Sequence, residues 1–232
     1  MPEQWDAEEP VLPVVGCVGS AGASTTALAV ATAAGHARVL ECSTVTTSGL
    51  ASAATAELGS TPAGWALGRR EGVLVARTTE AFASPADLPL PDLADPPVSL
   101  TVLDVGWELN HALTSRGWLT RALEAAPHVV AVSTATIPGM RRLEAALAML
   151  GPARVVVAVV GPPLRRWPRG VEPSMGSLAR AAADRGDLVQ IPTDRGLAGR
   201  GVDSTPLPAP LLAAAATILR QVGAGPIEKG TP

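Results

Sequence analysis

The most constraining feature of this chain is a loop of small residues between an apolar run and a helix-like stretch. Residues 11–18 are almost wholly apolar, and residues 25–34 contain only Ala, Leu, Val and Thr. The loop carries small or hydroxyl side chains throughout: Gly19, Ser20, Ala21, Gly22, Ala23, Ser24, Thr25 and Thr26. A strand, a small-residue loop with hydroxyl groups and a helix, in that order, are the context of a phosphate-binding loop.

The loop lacks the lysine that phosphate-binding loops place just before the Ser/Thr residues, where it reaches the β- and γ-phosphates. Ser24 holds that place, and Lys229 is the only lysine in the chain. Two interpretations stay open. Backbone N–H groups at the start of the helix could bind an anion, or the loop could be a strand-to-helix turn in which Thr25 and Ser24 cap the helix.

Apolar runs alternate with helix-like segments along the rest of the chain, which predicts an α/β fold. Because the strands are apolar throughout, we expect a mainly parallel central sheet with helices on both faces, a three-layer sandwich. The predicted strands are 11–18, 38–42, 72–77, 98–103, 128–133, 154–160 and 188–191. The predicted helices are 25–34, 47–58, 113–125, 140–150, 175–184 and 210–222, and residues 84–97, rich in Pro and Asp, are predicted to be an exposed loop.

Ligands of such sheets bind beyond the carboxyl ends of the strands. The 19–26 loop, Ser43, Asp104 and Ser133 all lie at the carboxyl ends of predicted strands, so we expect them to converge at one edge. There the Asp104 carboxylate could bind Mg²⁺ alongside Thr25. The alternative is an acidic residue that bonds to neighbouring backbone or hydroxyl groups.

Composition narrows the possible classes of protein. A net charge of −3 gives no electrostatic case for a dedicated nucleic-acid binder. No stretch reaches about 18 uninterrupted apolar residues, so no membrane-spanning helix is expected. Cys17 and Cys42 fit a reducing cytoplasm and are interpreted as small core residues. We expect a cytoplasmic protein with an acidic N-terminal tail over 1–9, one domain over 10–223 and a C-terminal tail over 224–232.

With these landmarks in order, the chain resembles the MinD/ParA group of deviant P-loop ATPases, especially its CpaE-like members of pilus and secretion systems. The family's loop reads Lys-Gly-Gly-x-Gly-Lys-Thr-Thr, and residues 19–26 align with it without a gap. Thr25 falls on the magnesium-binding threonine and Asp104 on the aspartate that ends the second signature strand. The resemblance implies a P-loop NTPase-like fold, with Mg²⁺ at Thr25 and Asp104.

The same resemblance covers two further acidic residues. Glu41 lies where the family carries an acidic residue at the end of its second strand. Residues 188–194 resemble the family's segment near the adenine, which makes Asp194 a candidate nucleotide contact together with the whole 19–26 loop. The implied cofactor is ATP or ADP with Mg²⁺. From the residues alone, Glu41 and Asp194 are expected to be ordinary surface or loop acids.

Departures from the family pattern concentrate in the loop. Gly19 replaces the signature lysine that crosses the dimer interface, Ser24 replaces the P-loop lysine, and Ala23 replaces the glycine before it. Residues 159–163 also lack the asparagine that the family often uses for adenine. Together these losses predict weak or lost nucleotide binding and no hydrolysis.

The sequence therefore favours a degenerate, non-hydrolysing regulator or scaffold. Its expected partners are a protein of a secretion, pilus or positioning machinery and a second copy of the chain. The alternative is an active ATPase with an atypical loop, serving partition, positioning or pilus and secretion assembly, in which an arginine or a partner's residue replaces the lysine. A DNA-partition protein is disfavoured by the acidic charge balance.

Three further segments carry open interpretations. Residues 161–170 hold three arginines and Trp167. In one interpretation an arginine supplies the missing positive charge and Trp167 stacks on a base or a partner protein. In the other, the segment is a solvated loop with Trp167 folded onto the core. Trp107 would lie near the nucleotide cleft or the family's dimer face. Residues 211–222 lack a basic face and are predicted to pack in the core.

Overall fold

The computed structural model describes residues 5–224. The strands in this range are β1 (Val11–Gly16), β2 (Ala37–Cys42), β3 (Ala56–Ser60), β4 (Trp65–Arg70), β5 (Val73–Thr78), β6 (Leu100–Val105), β7 (Val129–Thr134), β8 (Val155–Gly161) and β9 (Leu188–Pro192). The helices are α1 (Ala23–Ala34), α2 (Leu109–Thr114), α3 (Trp118–Ala125), α4 (Ile137–Leu150), α5 (Ser177–Asp184), α6 (Arg195–Arg200) and α7 (Ala209–Gln221).

All described strands belong to one sheet in the order β3-β4-β5-β2-β6-β1-β7-β8-β9. Every pairing is parallel except those of β4, which is antiparallel to both β3 and β5. Helices α1 and α7 pack on one face of the sheet, whereas α3, α4 and α5 pack on the other. The predicted three-layer α/β sandwich with a mainly parallel sheet is confirmed.

The centre of the sheet positions the loop of small residues. Strand β6 pairs with β1 on one side and with β2 on the other, and its residues are buried along their whole length. Cys42 ends β2 and Cys17 follows β1, so the two cysteines flank β6. Both are free thiols, in agreement with their interpretation as small residues of the interior.

The predicted helix over 47–58 is wrong. A short 3-10 turn occupies Val45–Thr47, and the chain then runs into the edge strand β3. The carboxylate of Glu41 accepts hydrogen bonds from the amides of Gly49 and Leu50, which holds this backbone in a loop. Strand β3 is exposed along its whole length and pairs with β4 across a register shift between Glu57 and Gly59.

The predicted helix over 113–125 is also wrong in part, because two helices, α2 and α3, stand in its place. The break falls where Arg116 adopts a φ of 56°, in the left-handed region that a continuous helix excludes. Gly117 follows and lies against the backbone of Ala86. Tight contact with the 84–97 loop therefore decides where α3 begins.

Residues 5–9, which the sequence assigns to a tail, contact the rest of the fold. The indole of Trp5 packs edge-on against Trp118, with ring centroids 5.3 Å apart. The Glu9 carboxylate pairs with Arg38 at 2.7 Å and accepts a hydrogen bond from the Thr101 hydroxyl. Residues 1–4 and most of the predicted 224–232 tail lie outside the described residues, and the domain boundaries remain predictions.

The Glu9–Arg38 pair generates a prediction about stability. The two side chains are only 8% and 4% exposed, and removing one partner of a buried pair costs about 3–5 kcal/mol because the other charge is left uncompensated. We expect Glu9→Gln to lower the free energy of unfolding, measured with urea, by about 3 kcal/mol. The exposed neighbour Glu8 gives the control, since Glu8→Gln should change it by less than about 0.5 kcal/mol. Equal effects of the two substitutions would show that the pair does not stabilise the fold.

Candidate functional site

A cleft of about 1180 Å³ opens at the carboxyl edge of the sheet. All eight residues of the 19–26 loop line it, and so do Asp104 and Asp194. The structure thus brings together every candidate nucleotide and metal residue that the sequence suggested. A cleft of this size at the carboxyl ends of parallel strands is where α/β proteins bind ligands.

The loop presents backbone donors to this cleft. Gly22 sits at the N-terminus of α1 with φ 87°, a left-handed conformation, and no side chain caps the helix. The suggested capping by Ser24 or Thr25 is therefore wrong, because the backbone already turns into α1 at Gly22. Within residues 5–224, none of the amides of residues 22–25 donates a hydrogen bond to a backbone carbonyl. These free N–H groups and the helix dipole favour an anion.

Asp104 lies next to this turn, near the end of β6. Its side chain is 1% exposed, and among residues 5–224 no donor meets either carboxylate oxygen in hydrogen-bond geometry. Burial raises the pKa of Asp104 to about 7, the nearby Ser24 hydroxyl opposes this rise, and the charge of Glu41 adds to it. Bonding to a neighbouring hydroxyl, the alternative suggested for Asp104, is therefore limited to this influence of Ser24. An unpartnered buried carboxylate in a cleft calls for a cation or a donor from a ligand.

Glu41 is a residue whose environment the sequence misjudged. The expectation of a surface acid is wrong: Glu41 pairs in register with Asp104 across β2 and β6 and is 1% exposed. Its carboxylate accepts from the Ser48 hydroxyl at 2.8 Å and from the amides of Gly49 and Leu50 at 2.5 and 2.9 Å. Charged acceptors form strong hydrogen bonds, so Glu41 anchors the 48–50 segment beside the cleft.

The anchored segment closes directly onto position 24. A Cβ atom built on Gly49 would lie 2.7 Å from the Ser24 Oγ atom and 2.8 Å from its Cβ. Residues 46–49 also line the cleft. The space where the family carries a lysine is therefore shared by two small residues in close contact, and a longer side chain at position 24 must avoid the 48–50 segment.

The charge of the cleft wall differs from that of a polyphosphate site. Its acidic residues are Asp104, Glu108 and Asp194, whereas Arg142 of α4 is the one basic residue of the wall within the described chain. Asp194 itself caps α6 by accepting from the Leu197 amide, so it acts at least as a helix cap. The arginines of the 161–170 segment lie outside the cleft wall, and the suggestion that they supply the missing charge there is wrong.

Other candidates fall outside the cleft or on its rim. Ser133 is buried and donates to the Gly139 carbonyl, and neither Ser133 nor Ser43 lines the cleft, because both are turned into the fold. Trp107 does line it, with an edge-on contact to His111 at 5.5 Å and a buried indole N–H that has no hydrogen-bond partner in the described part of the chain. No group of three or more His, Cys, Asp or Glu residues within residues 5–224 is placed to bind a metal.

The C-terminal helix is core, as predicted. Helix α7 buries one apolar face against α1 and β9; its buried residues are Leu211, Ala214, Ala215, Ile218 and Leu219. In the part of the chain from 5 to 224, every helix falls short of the length or apolar character that crossing a membrane requires.

No protein-family model and no curated protein matches this sequence, but solved structures do. The cell division ATPase MinD of Pyrococcus furiosus is 12% identical, with 92% of this chain and 99% of that chain covered and a TM-score of 0.61. A ParA family ATPase of Chlorobium tepidum is also 12% identical, over 92% and 91% of the two chains, at a TM-score of 0.53. The chain has the MinD/ParA fold.

A McdA variant of Cyanothece in complex with ATP shares this MinD/ParA fold. It is 10% identical over 97% of this chain and 100% of that chain, with a TM-score of 0.56. At 10–12% identity the similarity to these proteins is one of fold. What this chain binds depends on the residues of its own cleft.

The buried carboxylate generates a prediction about pH. Native Asp104 keeps a proton up to about pH 7, whereas the unfolded chain releases it near the usual 3.8, so stability falls as pH rises between these values. The loss amounts to roughly 4 kcal/mol. We expect Asp104→Asn to abolish it, so that urea unfolding without divalent cations shows a stability gain over wild type at about pH 8 and little at about pH 4. Substitution of the exposed Asp184 by Asn serves as the control, and an unchanged pH slope in the Asp104 variant would contradict the burial argument.

Proposed function

We propose that this protein is a degenerate MinD/ParA-like protein of the CpaE-like type, which binds nucleotide weakly and acts as a non-hydrolysing regulator or scaffold. The observation that carries the proposal is the contact between Ser24 and Gly49 at the lysine position. The half-buried Ser24 side chain lies between the cleft and Gly49, whose amide is held by the Glu41 carboxylate. The space at this position therefore suits a small residue.

The residues present still fit a phosphate group and a magnesium ion. The free amides of residues 22–25 are donors for phosphate oxygens. The Thr25 side chain and the unpartnered Asp104 carboxylate, both in the cleft wall, supply the oxygen ligands that Mg²⁺ prefers. A bound Mg²⁺ would neutralise part of the phosphate charge. The solved complex of the McdA variant with ATP supports a nucleotide as the ligand.

The missing cations argue against turnover. A hydrogen bond to a charged group is worth about 1.5–3 kcal/mol, so the loss of one lysine weakens binding by roughly 10- to 150-fold. Loss of one positioned charge-stabilising donor costs about 10²–10³ in rate, and positions 19 and 24 have lost one each. Three acids against one arginine in the cleft wall lower the affinity for a polyphosphate further.

The role that we propose is positioning or assembly in the cytoplasm. The structural neighbours include a cell division ATPase and a ParA family ATPase, which supports a part in positioning or partition. A scaffold of this kind acts through contacts, so we propose a protein partner from a positioning, secretion or pilus machinery, with a second copy of the chain as a further partner.

Nucleotide turnover tests the proposal. We expect the purified protein to release phosphate from ATP no faster than a Thr25→Ala variant, because neither position 19 nor position 24 supplies a cation. Calorimetry should nevertheless detect weak Mg²⁺-dependent ADP binding, which Thr25→Ala reduces by removing a metal ligand. A Mg²⁺-dependent rate that disappears in the Thr25 variant would contradict the absence of hydrolysis, and no ADP binding at all would contradict retention of the nucleotide.

A second function, an active ATPase, is favoured by one observation. Arg142 is a cation in the cleft wall, and guanidinium binds phosphate well. Arg141 precedes it, is also exposed and lies outside the cleft wall, so the pair forms a matched comparison. If Arg142 replaces the lysine, Arg142→Ala should lower the rate of phosphate release by about 10²–10³-fold, while Arg141→Ala leaves this rate unchanged. Equal rates in both variants would exclude this function for Arg142.

A further inference from the structure

The arginine-rich segment after β8, which lies outside the cleft wall, forms a separate basic surface. Residues 162–170, here called the basic loop, follow β8 and carry three arginines and no acidic residue. Arg165, Arg166 and Arg169 are exposed, and Leu164 is 50% exposed. Among the ion pairs of residues 5–224 none involves these three arginines. A chain of net charge −3 therefore keeps a cluster of unpaired positive charge at one place.

The basic loop is held in one shape by its own residues. The Trp167 indole N–H donates to the Pro162 carbonyl at 3.1 Å, and its partly buried ring packs against the core. The Arg166 amide bonds to the Pro163 carbonyl at 2.6 Å, and the Trp167 amide to the Leu164 carbonyl at 3.0 Å. The prolines restrict the backbone further. A surface ordered before binding loses less entropy when a partner docks.

An apolar neighbour extends this surface. Ile137, in the first turn of α4, is 38% exposed, and its Cδ1 atom would lie 3.3 Å from a Cβ built on Gly170. Arg141 lies one turn further along α4 and is exposed as well. Exposed aliphatic side chains therefore lie among arginines that form no ion pair with any residue from 5 to 224.

We propose that the basic loop is a docking surface for an acidic segment of a partner protein, with an apolar side chain between its carboxylates. Guanidinium groups bind carboxylates in a bidentate manner, while Leu164 and Ile137 offer contact to the apolar side chain. The inference goes beyond the proposed function because it states the chemistry of a partner, and it rests on neither nucleotide binding nor the cleft.

A nucleic acid fits this surface less well. Trp167 is the aromatic residue of the basic loop, and its indole is already bonded to Pro162 and packed on the core, so it is not free to stack on a base. The net charge of −3 repels a long polyanion outside the basic loop. Exposed aliphatic side chains also have no role in contacts with phosphate groups.

Fluorescence anisotropy tests the proposal with a labelled peptide of repeated Glu-Glu-Leu triplets, its Glu-Glu-Ser counterpart and a short DNA duplex. The full chain should bind the leucine peptide at physiological ionic strength and bind the serine peptide more weakly. Replacement of Arg165, Arg166 and Arg169 by Gln should weaken this binding by about tenfold, and Leu164→Ser should remove the preference for leucine.

The control removes the same charge elsewhere, by Gln substitution of the exposed residues Arg69, Arg116 and Arg220, and should leave peptide binding unchanged. Equal losses in the two triple variants, no binding of the leucine peptide, equal binding of both peptides, or tighter binding of the DNA duplex would each overturn the proposal. ADP binding measured on the basic-loop variant should match wild type. Failure of the docking surface is thereby separated from failure of the nucleotide proposal.

Discussion

Two carboxylates buried side by side at the ends of β2 and β6 determine the form of the whole site. Glu41 and Asp104 pair in register. Burial of a charged carboxylate costs free energy unless hydrogen-bond donors compensate it. Glu41 finds them in residues 48–50, which draws that backbone against Ser24. For Asp104 no described residue donates in full hydrogen-bond geometry, and the Ser24 hydroxyl alone favours its charged form. One acid therefore shapes the wall of the cleft, while the other leaves an unsatisfied acceptor inside it.

The backbone and the side chains of the 19–26 loop are under different constraints. The helix that follows β1 leaves its first amides without acceptors inside the helix, and this holds whatever the loop binds. Gly22 meets the need for a left-handed turn. A lysine is not required by this geometry, since Gly19 and Ser24 stand in the loop without disturbing the strand and the helix. The MinD/ParA fold of this chain therefore does not by itself require the lysines of an ATPase.

The parts of the fold that the sequence predicted are those buried on both faces. Strands β1 and β6 are largely apolar and buried because helices cover both faces of the sheet. Thr25 and Asp104 line the same cleft because parallel strands end at one edge. The hairpin of β3 and β4 escaped prediction, since an exposed edge strand of sequence Ala-Glu-Leu-Gly-Ser has no periodic apolar signal. The role of Glu41 depends on a hydroxyl and two amides that lie seven to nine positions away along the chain. The position of Arg142 in the cleft wall depends on how α4 packs on the sheet. Neither the contacts of Glu41 nor the position of Arg142 has a local sequence pattern that predicts it.

The exposed strand β3 carries a consequence for self-association. A sheet edge with free backbone groups can template a second copy, and repeated pairing of that kind produces fibres. In β3 the register shift between Glu57 and Gly59 interrupts the hydrogen-bond ladder, and Glu57 adds a charge at the same place. A second molecule approaching this edge meets neither a continuous row of donors and acceptors nor a neutral surface. The sheet can thus end in solvent without seeding polymer growth.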